Sequence, residues 1–507
     1  MNLKDMSLRQ KLGQMLVTGL PGGEITKEWI ELVDHYKIGN VILFKYNQLE
    51  QAQLSKLCSD LTKVAIEKTG ILPFITSDEE GGVVSRLPFD MAPMPSAMAQ
   101  ASLEDTVRIS QAAQLAGREL LSVGINFNLA PVLDINNNPD NPVIGVRSYG
   151  VNAKEVCSYA MAACEGYARA GILTVGKHFP GHGDTVTDSH MALPVILKSL
   201  KELEELELLP FREAIKQGIP AITIAHILFP SLETEGVPAT MSYKIITELL
   251  REKLGFRGLV ISDCMEMNAI KETCGIPKGA VEAVKAGMDL IFISRDHSEV
   301  IRTMEALEQA VLTGYLSLER IDDAVGRILS YKEKYIHQSP PLTQVELADI
   351  QSFADHFAED AIAASISGNR KTFDLGSNPL FLSPLRSQVT MAANLIHGDY
   401  SFAEGMQKRF GGRGIVIDIN PSQEETDIIL NELSGYSSIV IGTVNGNSHP
   451  DQLKLVQRLR ASGIPFALVA LRNPFELKDC PPDCFSFALY EYSPRMVEIG
   501  MHFFTQA

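Results

Sequence analysis

The sequence predicts a (β/α)8 TIM barrel followed by a smaller C-terminal α/β three-layer sandwich. Three observations predict it. Short apolar runs recur over the first two-thirds of the chain without polar alternation, as strands buried on both faces require. Helical patterns separate these runs. Several runs end in polar residues, namely Asp78, Asp134, Lys177 with His178, His226 and Asp263, and the C-terminal strand ends are where a barrel of this kind gathers its chemistry.

The eight runs are Gln14–Leu20, Gly39–Phe44, Leu72–Ser77, Phe127–Leu133, Leu173–His178, Ala221–His226, Leu259–Asp263 and Leu290–Ser294. Ser7-Leu8-Arg9-Gln10 reads as a capping box that starts the first helix. Helical patterns over Ser199–Gln217 and Gly279–Ala286 lie between later strands, and Leu318–Tyr335 closes the barrel. An open doubly wound sheet is the competing architecture. Ser339-Pro340-Pro341 marks a linker, so the division expected is a barrel over 1–336, a linker over 337–344 and a second domain over 345–507. That second part opens with a helix, Val345–Ser365. Strands follow near Pro379–Leu382, Gly414–Ile419, Ser438–Thr443, Pro465–Ala470 and Phe487–Tyr490. It contains neither a Walker-type phosphate loop nor a dinucleotide fingerprint.

Charge narrows the partners. The chain has 507 residues, 45 Lys+Arg against 62 Asp+Glu, and a formal net charge of −17. Polyanions are bound through clustered cations, so no nucleic-acid partner and no polybasic membrane attachment are expected. No apolar run is long enough to span a bilayer, and the N-terminus lacks a secretory pattern. The seven cysteines are odd in number and scattered, which suits a reduced, cytoplasmic protein. Cys480 and Cys484 stand four apart, but no second ligand pair lies nearby to make a zinc site.

The densest chemistry lies in Lys177-His178-Phe179-Pro180-Gly181-His182-Gly183-Asp184-Thr185-Val186-Thr187-Asp188-Ser189-His190. Clustered His and Asp suit a metal site, an acid/base pair, or polar groups that stitch a loop. In an extended segment Asp188 and His190 share a side. The carboxylate can then fix the imidazole's tautomer and raise its pKa from about 6.5, which makes a proton donor near neutral pH. In Gly258-Leu259-Val260-Ile261-Ser262-Asp263, an apolar strand runs into an aspartate, a candidate nucleophile or else a helix N-cap. Asp78 ends the third strand, and Arg86 follows on its outgoing loop; such groups can bond vicinal sugar hydroxyls. Asn141 to Gly150 offers a second arginine, Arg147. Either arginine also suits a surface ion pair.

Together these segments resemble the β-N-acetylglucosaminidase branch of glycoside hydrolase family three. The likeness runs through the histidine loop and through Asp78–Arg86, Asn141–Ser148 and Phe256–Asp263 in the same order, and covers roughly residues 5–335. It continues more weakly at Leu471-Arg472-Asn473-Pro474 and Tyr490–Pro494. The resemblance implies retaining hydrolysis of terminal β-linked N-acetylglucosamine, with Asp263 as nucleophile and His190 as acid/base supported by Asp188. By the same resemblance Asp78, Arg86, Arg147, Lys177 and His178 bind sugar, and neither a metal nor an organic cofactor is needed. Glu79 departs from the glutamine expected before Glu80-Gly81-Gly82, and Cys264 follows the nucleophile at a variable position.

The substrate expected is a small carbohydrate, a peptidoglycan-derived muropeptide first and a chito-oligosaccharide second. Two alternatives stay open: a β-N-acetylglucosaminide phosphorylase, and a metal-dependent barrel hydrolase using His178, His182 and His190. Gly181 and Gly183 suggest a loop that closes over sugar. The second domain reads as a packing module, with Asn473 and Glu491 as its polar positions near strand ends.

Overall fold

The structure is a computed structural model that describes residues 3–188, 193–234, 236–337, 339–367, 370–387, 393, 400–481 and 484–506. Eight parallel strands close a barrel in sequential order: β1 Leu16–Gly19, β2 Asn40–Leu43, β3 Phe74–Ser77, β4 Phe127–Asn128, β5 Leu173–Phe179, β6 Ala221–Ile224, β7 Leu259–Cys264 and β8 Leu290–Ile293. Each sits within or against one of the eight apolar runs, and every residue of β1 to β6 and β8 is buried. The open-sheet alternative is thereby excluded.

Local signals explain most element ends. The first helix, Leu8–Met15, starts at Ser7 with both bonds of the capping box, so Gln14 belongs to that helix and not to the strand. Helix Leu318–Tyr335 forms over the predicted span. The pattern over Ser199–Gln217 is broken into Leu200–Glu205 and Leu208–Lys216. At the break the buried Glu207 accepts hydrogen bonds from Asn137 and Lys198, which draws the chain out of helical register.

Helix Gln344–Ala364 begins with a capping box at Thr343 and joins two cores. Its Ile350, Ala354 and Phe357 pack with the barrel's apolar residues, and its Ala358 and Ile362 pack beyond. The second sheet is parallel: β10 Pro379–Pro384, β11 Arg413–Ile417, β12 Ser438–Thr443, β13 Phe466–Ala470 and β14 Phe485–Ala488, in the order β11-β10-β12-β13-β14. Two short strands, β9 Phe373–Asp374 and β15 Phe504–Thr505, pair beside it. Successive side chains go to opposite faces. Phe381, Val440 and Val469 enter one core, whereas Leu380, Leu382, Ile439, Ile441 and Leu468 enter the other, which gives the three layers.

The second domain is docked on the barrel mouth. Met98, Ala99 and Val146 of the barrel loops form one apolar cluster with Ala361, Ala470, Phe475, Ala488 and Tyr490. Arg495 donates to the Pro93 carbonyl, and Asn447 donates to the Pro139 carbonyl and to Asp140. Among the described residues no helix is long and apolar enough to cross a membrane.

Candidate active site

A cleft of about 820 Å³ opens at the C-terminal ends of the barrel strands. Asp78, Glu80, Arg86, Arg147, Lys177, His178, His182 and Asp263 line it together with Glu266 and Arg295. Two irregularities in strand pairing lie at this rim. The register of β5 against β6 shifts between Gly176 and Phe179, and that of β7 against β8 shifts between Ile261 and Cys264. Such bulges re-aim side chains next to active sites. The first carries Lys177 and His178, and the second carries Asp263.

A buried ionic network forms one side. Lys177 Nζ lies 2.8 Å from Asp78 Oδ1 and 2.6 Å from Glu80 Oε1. Arg147 donates to Glu80 from Nε and Nη2, both at 2.8 Å, and to the Val143 carbonyl at 3.2 Å. A planar guanidinium matched to a carboxylate by two bonds is a rigid fork. Burial alone would push the Glu80 carboxyl up, but Arg147 and Lys177 outweigh it and hold Glu80 well below the usual range. Burial likewise lowers Lys177, yet Asp78 and Glu80 keep its ammonium above the ordinary lysine value. Glu80 and Lys177 are therefore ionised at neutral pH, and the bonds to Arg147 and Asp78 hold them in nearly fixed positions.

Asp134 organises the next layer. Its Oδ2 accepts from the His178 backbone N–H at 3.1 Å and lies 2.7 Å from His178 Nδ1, while Oδ1 accepts from the His182 N–H at 2.7 Å. Arg147 Nη2 stands 3.4 Å from His178 Nε2. A guanidinium only donates, so Nε2 is the acceptor and Nδ1 carries the proton toward Asp134. Burial and the neighbouring His178 lower the His182 pKa to about 4, so that ring is neutral. Opposite, Glu266 accepts from the backbone N–H groups of Ser294, Arg295 and Asp296 at 2.7, 2.9 and 2.7 Å, which ties the loop after β8 to the turn after Asp263.

The family model for the glycosyl hydrolase family 3 N-terminal domain matches residues 7–331. The chain belongs to glycosyl hydrolase family 3. This family 3 hydrolase is 35% identical to a solved family 3 β-N-acetylglucosaminidase from Paenibacillus sp., with a TM-score of 0.87 over 97% of this chain and 95% of that one. It is 36% identical over 337 residues to β-hexosaminidase A of Pseudoalteromonas piscicida, a match spanning 62% of this chain and 56% of the relative. A β-hexosaminidase of Tolumonas auensis is 33% identical over 296 residues, 58% of this chain and 86% of its own length.

In this family 3 hydrolase, six residues predicted from sequence line one cleft: Asp78, Arg86, Arg147, Lys177, His178 and Asp263. Arg147 sits in a buried ion pair, not a surface one. Asp263 does not cap the following helix, Asn268–Lys271, whose N-cap is Met267. Asp188 is buried and is not among the described residues lining the cleft, and His190 lies outside the described residues. His178 does not suit the metal reading, because Asp134 and Arg147 occupy its two ring nitrogens. Gly183 is packed so closely that a Cβ would stand 1.6 Å from the Ile135 carbonyl oxygen, so it reflects close contact rather than a hinge. His226 is buried and bonds Thr240 and the Cys264 carbonyl behind the cleft.

Sequence reasoning missed the roles of Glu80, Asp134 and Glu266. Asp134 did end a predicted strand, the one signal that could have marked it. The second domain reaches the cleft through Ala393. Its Asn473 is buried against Gly145, two residues before Arg147, whereas Glu491 is partly exposed.

Proposed function

We propose that the chain is a retaining exo-β-N-acetylglucosaminidase, acting on N-acetylglucosamine-terminated fragments derived from peptidoglycan in the cytoplasm. One observation carries this reading: Asp263 shares a cleft with the fixed network of Asp78, Arg147, Lys177 and His178. Fixed donors and acceptors of both signs suit the hydroxyl groups of a single terminal sugar.

In this mechanism the Asp263 carboxylate attacks the anomeric carbon as the glycosidic bond breaks. The His190 imidazolium, paired with Asp188, gives its proton to the departing oxygen. The glycosyl ester on Asp263 is then opened by water, which loses its proton to the now neutral His190. Asp78, Lys177, Arg86 and His178 hold the sugar, and Arg147 keeps Glu80 and His178 oriented.

Asp263→Asn tests the assignment. Hydrolysis of an aryl β-N-acetylglucosaminide should fall by about three orders of magnitude or more, with sugar binding retained by calorimetry and the wild-type rate unchanged in EDTA. Equal rates for the variant and the wild type would overturn it. Identification of the product with and without inorganic phosphate decides between free sugar and sugar 1-phosphate, and the latter would replace hydrolysis by phosphorolysis.

A further inference from the structure

The barrel mouth is divided by chemistry. The ionic network comes from the loops after β3 and β4 and from the end of β5, with Asp78, Glu80, Arg147, Lys177 and His178. The other half of the same cleft is built by the loops after β2 and β8, and it is aromatic and cationic: Phe44, Tyr46 and Arg295. Asp263, on β7, stands between these halves in the closed order of strands.

Phe44 and Tyr46 are stacked, with ring centroids 5.6 Å apart and planes 12° from parallel. The Arg295 guanidinium lies over the Phe44 ring, 5.5 Å from its centroid. Both supports are rigid. Buried Asn47 accepts from the Phe44 N–H at 2.8 Å and donates to the carbonyls of Leu20 and Gly22, and Glu266 grips the backbone of Arg295. Arg295 is exposed, and among the described residues its guanidinium has no ion pair. A stacked ring pair suits the apolar face of a sugar ring, and an unpaired guanidinium suits a carboxylate.

We propose that Phe44, Tyr46 and Arg295 form the aglycone subsite, and that Arg295 makes the enzyme prefer an aglycone bearing a carboxylate over a neutral one. The inference rests on the reading of the cleft as a β-N-acetylglucosaminidase site. It distinguishes a lactyl-bearing muramic sugar from a second N-acetylglucosamine, which the rest of the cleft does not. The chain's net charge of −17 repels such an anion at long range, so discrimination falls to this local cation.

The test is a ratio measured on one preparation, so it does not depend on the fraction folded. kcat/KM is measured for N-acetylglucosaminyl-β-1,4-N-acetylmuramic acid and for N,N′-diacetylchitobiose. The wild type should favour the acidic disaccharide, and Arg295→Gln should lower that preference by about tenfold or more. Arg295→Lys should keep part of it, and Phe44→Ala should lower both values. An unchanged ratio in Arg295→Gln, or a wild type that favours the neutral disaccharide, would overturn the proposal. Hydrolysis of neither disaccharide nor an aryl β-N-acetylglucosaminide would instead sink the reading on which it rests.

Discussion

Asp134→Asn is the most informative single change, because one carboxylate serves three donors. Oδ2 takes the His178 N–H and Nδ1–H, and Oδ1 takes the His182 N–H. An asparagine has one acceptor oxygen. If that oxygen replaces Oδ2, its NH2 faces the His182 N–H. If it replaces Oδ1, the NH2 faces two donors of His178. The ring then has to shift its proton to Nε2, which stands 3.4 Å from the Arg147 guanidinium nitrogen. Either orientation leaves two buried donors without an acceptor, at about 1–3 kcal/mol each, so the variant should be ~2–6 kcal/mol less stable. A misoriented, wrong-tautomer His178 should also lower kcat/KM on an aryl β-N-acetylglucosaminide by about 10²-fold. Burial raises the Asp134 pKa, but His178, His182 and their donors outweigh it and hold it below the ordinary carboxylate value. Its contribution is therefore full above about pH 4 and lost as pH falls through the lower folded value, so the gap between variant and wild type should shrink in acid. Denaturant unfolding at pH 7 and pH 3, with steady-state kinetics, reads all of this. Wild-type stability together with wild-type kcat/KM would refute the role given to Asp134.

Glu79 and Gly183 supply the other tests. Burial pushes the Glu79 carboxyl up to about 7, against the bonds it accepts from Ser85, Arg86 and Leu87. The folded state therefore binds a proton that the unfolded state loses near pH 4.5, and stability should fall as pH rises from about 4.5 to 7 by ~3 kcal/mol. Glu79→Gln should remove that slope and be the more stable protein at pH 8; unfolding midpoints that still track the wild type across this range would refute it. Gly183→Ala forces a Cβ to 1.6 Å from the Ile135 carbonyl oxygen, so the loop after β5 has to shift. Losses of ~3 kcal/mol or more are expected, and a thermal midpoint equal to wild type would show that the loop has slack.

The Glu79 result also explains a departure visible in the sequence. A glutamine is expected at this position, and a carboxyl half-protonated near neutrality is the nearest ionisable imitation of one. Much of the barrel was legible because fully buried strands leave unbroken apolar runs, and because a cap such as Ser7 is a local code. Asp263 and Lys177-His178 were legible for the same reason, as polar residues ending apolar runs. The roles of Glu80 and Asp134 were not, because their partners lie 67 and 44 residues away, and only the closed barrel brings them together. Glu207 broke a helix for an equally distant reason, its bond from Asn137. Gly183 shows why glycine is ambiguous in a sequence: one letter serves both for hinges and for tight contact, and here it stands against the Ile135 carbonyl.

The seam between the two halves of the molecule has a further consequence. Val146, flanked by Gly145 and Arg147, is sealed into an apolar cluster with Phe475 and Tyr490, and the Asn473 side chain fills the space a Cβ on Gly145 would need. Severing the chain in its linker would not simply shorten it. The segment that presents the Arg147 guanidinium to the pocket would lose its roof, and oily surface would meet water one residue from that arginine. Size in this protein is thus tied to the shape of the pocket.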